Sequence, residues 1–539
     1  MNALILVLFS MVVLFVAYVT YGGWLSKQWG VEDKIKTPAH AKGDGVDYVP
    51  AKSPVLLGHH FASIAGAGPI VGPIAAAIFG WIPVLLWILI GSIFFGGVQD
   101  YGSLIASIRH EGKSIGEVIQ ANMGKQGKRL FSVFAWLTLL LVVAAFTNIV
   151  ANTFVSVPEA ATASVLFIVL AIVFGFAIHR RGVSLKIGSV VGVALLFGCI
   201  ALGNLFPLAL SRNLWIGILL AYIFVASVTP VWILLQPRDY LNSFLLYFMI
   251  AGAVLGLLIT RPTIILEGYS GFHVNGQYLF PMLFVLVACG AISGFHSLVG
   301  SGTTSKQLDK ESDAKVVGYG SMLIEGVLAT VAIITAAYIT QDQLGALLAD
   351  GGPVNVFSDG IGVFMTSFGV PFTVGKSFVA LAVSAFALTS LDTATRLGRF
   401  ILQEFFTQEN PEKKNPLTNM YVATAVTAGL GGLLAITSWQ AIWPIFGAAN
   451  QLLAALSLMA VAVWLQKIGK NNKMFIFPMI FMFAVTLLAL GFLIQSNLAT
   501  GNWVLVVFPV VLFILALVLA YQGYVHLSKE KREISKSEI

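Results

Sequence analysis

Charge is scarce in this chain. Only 10% of its 539 residues are Asp, Glu, Lys or Arg, against about 25% in a typical soluble domain. With 58% hydrophobic residues and a mean hydropathy of +0.89, that shortfall excludes a water-soluble globular protein. Cysteine is nearly absent. Cys199 and Cys289 both fall in apolar stretches, support neither a disulfide framework nor a zinc site, and read as small packing residues. No glycine-rich phosphate loop ending in Lys-Ser/Thr is present, which argues against direct ATP coupling. No paired-histidine zinc motif and no nucleophile elbow support an enzyme. Alternation of apolar and polar residues is missing too, which excludes a membrane β-barrel. The first apolar run, Ala3 to Tyr21, lacks a basic start and a cleavage site, so it reads as a retained span rather than a signal peptide. The net charge of +7 fits basic loops beside lipid headgroups and gives no case for nucleic acid.

Long apolar runs are present throughout. Fifteen hydrophobic elements are read at about 3–22, 55–80, 81–109, 129–153, 160–179, 186–206, 213–235, 243–260, 279–300, 316–339, 375–400, 417–436, 440–466, 474–495 and 502–526. The fold class is therefore an all-α polytopic membrane protein. Odd-numbered loops and the C-terminal tail hold 28 of the 31 Lys and Arg; even-numbered loops hold only Arg212, Arg261 and Lys376. Basic loops stay cytoplasmic, so the N-terminus is expected outside, the C-terminus inside and the number of crossings odd. Residues 340–374 are too polar for a simple span and are expected as an external loop with a short interfacial or re-entrant helix. The chain divides into 1–54 (first helix and cytoplasmic loop), 55–278 (a first repeat with extra helices), 279–466 (a second repeat) and 467–539 (two helices and a cytoplasmic tail).

The division rests on a repeated phrase. Phe61-Ala-Ser63-Ile-Ala-Gly66-Ala-Gly68 returns 234 positions later as Phe295-His-Ser297-Leu-Val-Gly300-Ser-Gly302. The two copies lie on elements of opposite direction, as an inverted repeat requires. Gly66, Gly68 and Pro69 weaken a helix, and the half-helix that follows an unwound stretch points its positive end at an anion. Glycine for close helix packing is the competing account. The residues expected to surround a substrate are Ser63, Gly66, Gly68, Ser293, Phe295, His296, Ser297 and Gly300, with Gly302 beside them. Their hydroxyls and backbone groups suit a carboxylate or a sodium ion.

Ionisable groups inside spans are costly and point to function. Asp100, Glu325, His60 and Asp392 are the candidates for proton coupling, Asp100 first because Gly96, Gly97 and Gly102 flank it. Asp392 has Arg396 at i+4, and a local helical ion pair is its plainer account. Gln236-Pro237-Arg238-Asp239-Tyr240 reads as a structural corner with a local ion pair, and Asn450-Gln451 as interhelical glue. No metal-ligand motif is found, although a transition metal at His59, His60 or His296 stays open.

Six motifs together carry a resemblance: GHHFASIAGAGPIVGP from Gly58, FGGVQDYGS from Phe95, QPRDYLNS from Gln236, GFHSLVGSGTTSKQL from Gly294, ALTSLDTATRLGR from Ala387 and WPIFGAANQLLAALSL from Trp443. The chain resembles the carbon starvation protein A (CstA) family over most of its length. The resemblance implies a transporter of the bacterial inner membrane that scavenges nutrients during carbon starvation. Family members are assigned to peptide uptake and, in some cases, to proton-coupled uptake of pyruvate. It also implies kinship with the inverted-repeat amino acid–polyamine–organocation (LeuT-like) fold. This chain is shorter than the long members, mainly towards the C-terminus, so the resemblance leaves the substrate open.

The expectation is a secondary transporter importing a small carboxylate nutrient, pyruvate or a short peptide, and not an enzyme. It would need no cofactor, with H+ as coupling ion and Na+ as the alternative. Its partners would be the small-molecule substrate and the lipid bilayer, with oligomeric state open. A gated channel for small solutes or ions is the rival.

Overall fold

The computed structural model describes residues 2–43, 48–230, 233–406 and 415–537. The regular structure of the described residues is helical apart from one small hairpin, His273–Val274 against Gln277–Tyr278, and two isolated bridges. The first crossing is α1 (Ala3–Val19) continued by α2 (Tyr21–Trp29). A broken pair follows, α3 (Ser53–Ile64) and α4 (Gly68–Ala76), bent by 48°. Helix α5 (Trp81–Gly91) passes through a π turn, Ser92–Gly96, into α6 (Gly97–Arg109). Then come α7 (Ile115–Ser156), α8 (Pro158–His179), α9 (Leu185–Leu205), α10 (Arg212–Val228) and α11 (Leu235–Thr260). A second broken pair is formed by α12 (Leu279–Val287) and α13 (Gly294–Gly302). A second π turn, Lys315–Gly320, opens α14 (Ser321–Ala337). The chain ends with α15 (Gln341–Thr366), α16 (Phe372–Phe406), α17 (Met420–Ala435), α18 (Trp439–Lys467), α19 (Lys473–Ala499) and α20 (Trp503–Ser537).

Every one of the fifteen hydrophobic elements has a helical counterpart, but not all are full spans. Among the described residues, twelve helices are long and apolar enough to cross a membrane, or thirteen when the bent pair counts as one. The other two, α10 and α17, have 17 and 16 residues, short of the roughly 20 that a span needs. They pack against each other.

Residues 340–374 are helical nearly throughout, where a loop with a short helix was expected. Thr340 and Gln343 form a capping box that starts α15, and Gly352, at φ +74°, kinks it. The polar residues that suggested a loop lie on both sides of the kink. Beyond it Val354, Phe357, Ile361 and Phe364 recur at helical spacing and are buried, packed against α7, α11 and α16.

Helix α18 is the most enclosed element, buried continuously from Ile442 to Leu465. A helix apolar on all faces belongs in the middle of a bundle. It flanks the second broken pair and contacts α6, α7 and α19.

Candidate functional site

The first break is where glycine and proline place it. Helix α3 stops at Ile64, and the N–H groups of Gly66 and Ala67 find no acceptor among the described residues. Pro69, which has no N–H to satisfy, sits in the first turn of α4. Against the opening lie the Phe146 ring and the Ser390 hydroxyl; a Cβ placed on Gly66 would be 2.7 Å from Ser390 Oγ. That hydroxyl is buried and has no hydrogen-bond partner among the described residues.

The second break does not fall on the repeated phrase. It runs from Ala288 to Ser293, and Phe295–Gly302 is regular helix α13. Ala288 takes φ +33°, which an L-residue adopts only when its surroundings impose it. Those surroundings come from α18. Gln451 Nε2 donates to the Phe284 carbonyl at 2.5 Å, and Trp443 Nε1 donates to the Leu286 carbonyl at 3.0 Å. Asn450 Oδ1 accepts the Phe295 N–H at 2.9 Å, and its Nδ2 donates to Ser293 Oγ at 3.1 Å. The buried amides of Asn450 and Gln451 are thus interhelical glue for carbonyls and N–H groups that the break releases.

The two breaks touch. A Cβ on Gly68 would lie 2.5 Å from the Cβ and Sγ of Cys289, so Gly68 permits this contact. Each break is followed 27 residues later by a π turn, Ala65 to Ser92 and Ala288 to Lys315. Ser63 Oγ donates to the His59 carbonyl of its own helix at 2.9 Å, while Ser297 Oγ meets Ser457 Oγ at 2.6 Å. A Cβ on Gly300 would have no neighbour closer than 3.6 Å, and one on Gly302 would have none within 4 Å.

Two residues expected for proton coupling and one expected at the substrate meet in one buried cluster. His296 of α13 lies between Asp100 of α6 and Glu325 of α14. Its Nδ1 is 2.8 Å from Asp100 Oδ2, and its Nε2 is 3.4 Å from Glu325 Oε2; the side chains are 0–1% exposed. Asp100 Oδ1, His296 Nε2 and both Glu325 oxygens lack hydrogen-bond partners among the described residues. His60 is buried nearby with Nδ1 on Thr304 Oγ1 at 2.8 Å and Nε2 unpartnered. Gln99, beside Asp100, has both amide atoms buried and unpartnered; the sequence pattern did not mark it. Among the described residues no group of three or more His, Cys, Asp or Glu side chains is placed to hold a metal ion.

Asp392 lies in a different cluster, and its partner is not Arg396. Arg238 Nη1 donates to Asp392 Oδ2 and, at 2.6 Å, to the Tyr222 hydroxyl; Tyr222 donates to the same carboxylate at 2.9 Å. Arg238 Nη2 also pairs with Asp239 Oδ1 at 3.0 Å, which accepts from Thr389 Oγ1 at 3.0 Å. Arg396 is turned away and donates to the carbonyls of Ala226 and Thr229 at 2.8 and 2.7 Å. The corner at Arg238 is therefore a long-range tie among α10, α11 and α16 rather than a local ion pair alone. Asp239 also borders a cavity of about 360 Å³ walled by His59, Tyr240, Ser243 and Tyr247.

The comparisons with known proteins agree with these motifs. The family model described as carbon starvation protein CstA matches residues 2–350 and 343–489. The chain belongs to the CstA family. It is 34% identical to the peptide transporter CstA of Bacillus subtilis (strain 168), covering 88% of this chain and 87% of that protein. It is 33% identical to the peptide transporter CstA of Escherichia coli (strain K12), over 87% of this chain and 78% of that one. The pyruvate/proton symporter BtsT of the same organism is 30% identical, over 92% and 82%. Among solved structures, a manganese transporter of Eremococcus coleocola, in complex with an aromatic bis-isothiourea substituted compound, superposes with a TM-score of 0.55 at 13% identity. The match covers 91% of this chain and 99% of the other. This likeness is one of fold. The protein is a multi-pass membrane protein of a transporter family.

Proposed function

We propose that this CstA-family protein is a proton-coupled secondary transporter importing a small carboxylate nutrient, pyruvate or a short peptide, across the bacterial inner membrane. The observation that carries the reading is the Asp100–His296–Glu325 cluster. It places three titratable groups and no permanent cation in the middle of the bundle, beside two broken helices. Such groups can gain or lose a proton as access changes from one side to the other, and in a membrane interior they are retained for function. Relatives named as a pyruvate/proton symporter and as peptide transporters support the substrate class.

In this reading the substrate carboxylate meets the free N–H groups at Gly66 and Ala67, ahead of the positive end of α4. Ser63, Gly68, Ser293, Phe295, Ser297 and Gly300 frame the neighbourhood. A proton taken up by Asp100 or Glu325 is passed through His296, and His60 is the next acceptor towards the basic side. In this reading the N-terminus lies outside and the C-terminus inside, which the Lys and Arg distribution supports. The two broken helices, each with its trailing π turn, make the matched halves of an inverted repeat of the LeuT-like kind, with α10 and α17 as its two shortest crossings.

The test is uptake of labelled pyruvate and of a labelled dipeptide, side by side, in proteoliposomes with an inwardly directed proton gradient. One of the two should accumulate above its external concentration, and a protonophore should remove the accumulation. Mere equilibration, gradient or not, would instead indicate a channel.

A further inference from the structure

The chain carries an ion pair, buried at its carboxylate and partly exposed at its arginine, that neither charge cluster uses. Glu311 stands in the loop between α13 and the second π turn, yet its side chain is 0% exposed. Its carboxylate is gripped at both oxygens by Arg109, the last residue of α6: Nε to Oε1 at 2.5 Å and Nη2 to Oε2 at 2.8 Å. The first long loop closes over this pair. The Glu32 N–H donates to Glu311 Oε2 at 2.9 Å, and the Gly30 carbonyl accepts from Arg109 Nη2 at 3.0 Å. The strap continues along the same loop. Asp33 accepts the Ser312 N–H at 3.1 Å, and hydrogen bonding from Ser312 holds its carboxyl below the ordinary range. His40 Nε2 meets Asp309 Oδ1 at 2.7 Å, and the Ala51 N–H donates to the Gln307 carbonyl at 2.9 Å.

The connectivity gives these contacts their meaning. The strapping loop runs directly into α3, and the loop bearing Glu311 leaves directly from α13. Helices α3 and α13 are the basic-side halves of the two broken pairs. A bidentate Arg–carboxylate pair has strict geometry, and without Arg109 the fully buried Glu311 carboxylate would have no counter-charge. This fastening joins the inner ends of both half-helices to the end of α6, which also bears Asp100.

We infer that Arg109 and Glu311, strapped by residues 30–40 and by Ala51, form the gate that closes the basic face beneath the two broken helices and must part before substrate leaves on that side. The inference rests on the transporter reading, but its test needs no substrate. Ser63, on α3 just before the first break, is 5% exposed. In full-length protein carrying Ser63→Cys, with the two buried native cysteines left in place, a membrane-impermeant thiol reagent is applied from the basic face of inverted vesicles. Protein without Ser63→Cys gives the background. Glu311→Gln and Arg109→Gln should each speed labelling by about tenfold or more, the range of a conformational coupling. The swap Arg109→Glu with Glu311→Arg should return the rate to within about twofold. Equal labelling rates in all of these proteins would overturn the gate. If either single variant fails to insert, Asp309→Asn with His40→Ala loosens only the exposed end of the strap and should still speed labelling about threefold. An unchanged rate there would overturn it as well.

Discussion

Two buried charge clusters lie in the same bundle and are built on opposite rules. Around Arg238, a permanent cation is shared by Asp392, Asp239 and Tyr222, and every guanidinium nitrogen has a partner. Around His296, two carboxylates flank a group whose charge can vanish, and four of their polar atoms have no hydrogen bond. A guanidinium stays charged at any physiological pH, so it is a fixed counter-charge for the groups it binds. An imidazole does not, so its neighbours can share and exchange a proton. The first cluster is built to hold helices, the second to change state.

The sharpest way to break this contrast is to remove the permanent cation. Arg238→Met leaves Asp392 and Asp239 buried without a counter-charge, at a cost of about 3–5 kcal/mol. The expected result is loss of most of the membrane-inserted, monodisperse protein. Arg238→Met with Asp392→Leu should recover part of it, because an apolar pair can replace a buried ionic one. Normal yield of the single variant would place Arg238 outside the supporting frame.

In the His296 cluster the same kind of change should spare the fold and stop the work. Asp100→Asn and Glu325→Gln replace carboxylates whose oxygens are partly unpartnered with amides of equal size. Yield should stay near the parent level. Gradient-driven accumulation should fall about a hundredfold, the scale on which a positioned acid or base matters, while exchange of labelled for unlabelled substrate persists. Retained accumulation in both variants would move the proton to His60.

A smaller effect is expected where the breaks touch. Gly68→Ala would force a methyl into Cys289, an overpacking worth about 1–3 kcal/mol. It should slow transport several-fold, and Cys289→Gly in the same chain should restore it. Gly300→Ala has room, since its nearest neighbours, Leu104 and His60, are 3.6 and 3.8 Å away, and should transport like the parent. This separates glycine used for close packing from glycine beside open space, a distinction the sequence does not make.

That limit recurs elsewhere. The first break is legible because its causes, Gly66, Gly68 and Pro69, are in the segment itself. The second is displaced from the repeated phrase because its causes, Trp443, Asn450 and Gln451, lie some 150 residues away on α18. Each of the fifteen apolar runs coincides with helix, since each is written in its own composition, whereas α15, with polar residues along its length, is not among them. Run length cannot decide whether α10 and α17, shielded by each other, cross fully. Asp100, His296 and Glu325 each stand out as polar groups in apolar spans, but their meeting joins three helices. Ser390 and Gln99 gave no signal at all, because an unpartnered hydroxyl or amide is recognised only once its neighbours are known.

The smallest effect tests the local pairing rule directly. Arg396 stands one turn beyond Asp392 on α16, the spacing at which opposite charges on a helix meet. In the structure Arg396 instead donates to the Ala226 and Thr229 carbonyls at the end of α10, and Arg238 takes the carboxylate. Arg396→Gln should therefore leave Asp392 paired and cost only part-buried hydrogen bonds to two carbonyls, roughly 1 kcal/mol. Uptake within about twofold of the parent, with unchanged yield, is expected, since a glutamine amide can still donate to one of the two carbonyls. A loss as deep as that of Arg238→Met would show that both arginines hold Asp392. The fixed cluster would then carry two permanent cations against two carboxylates, and its difference from the His296 cluster would be wider still.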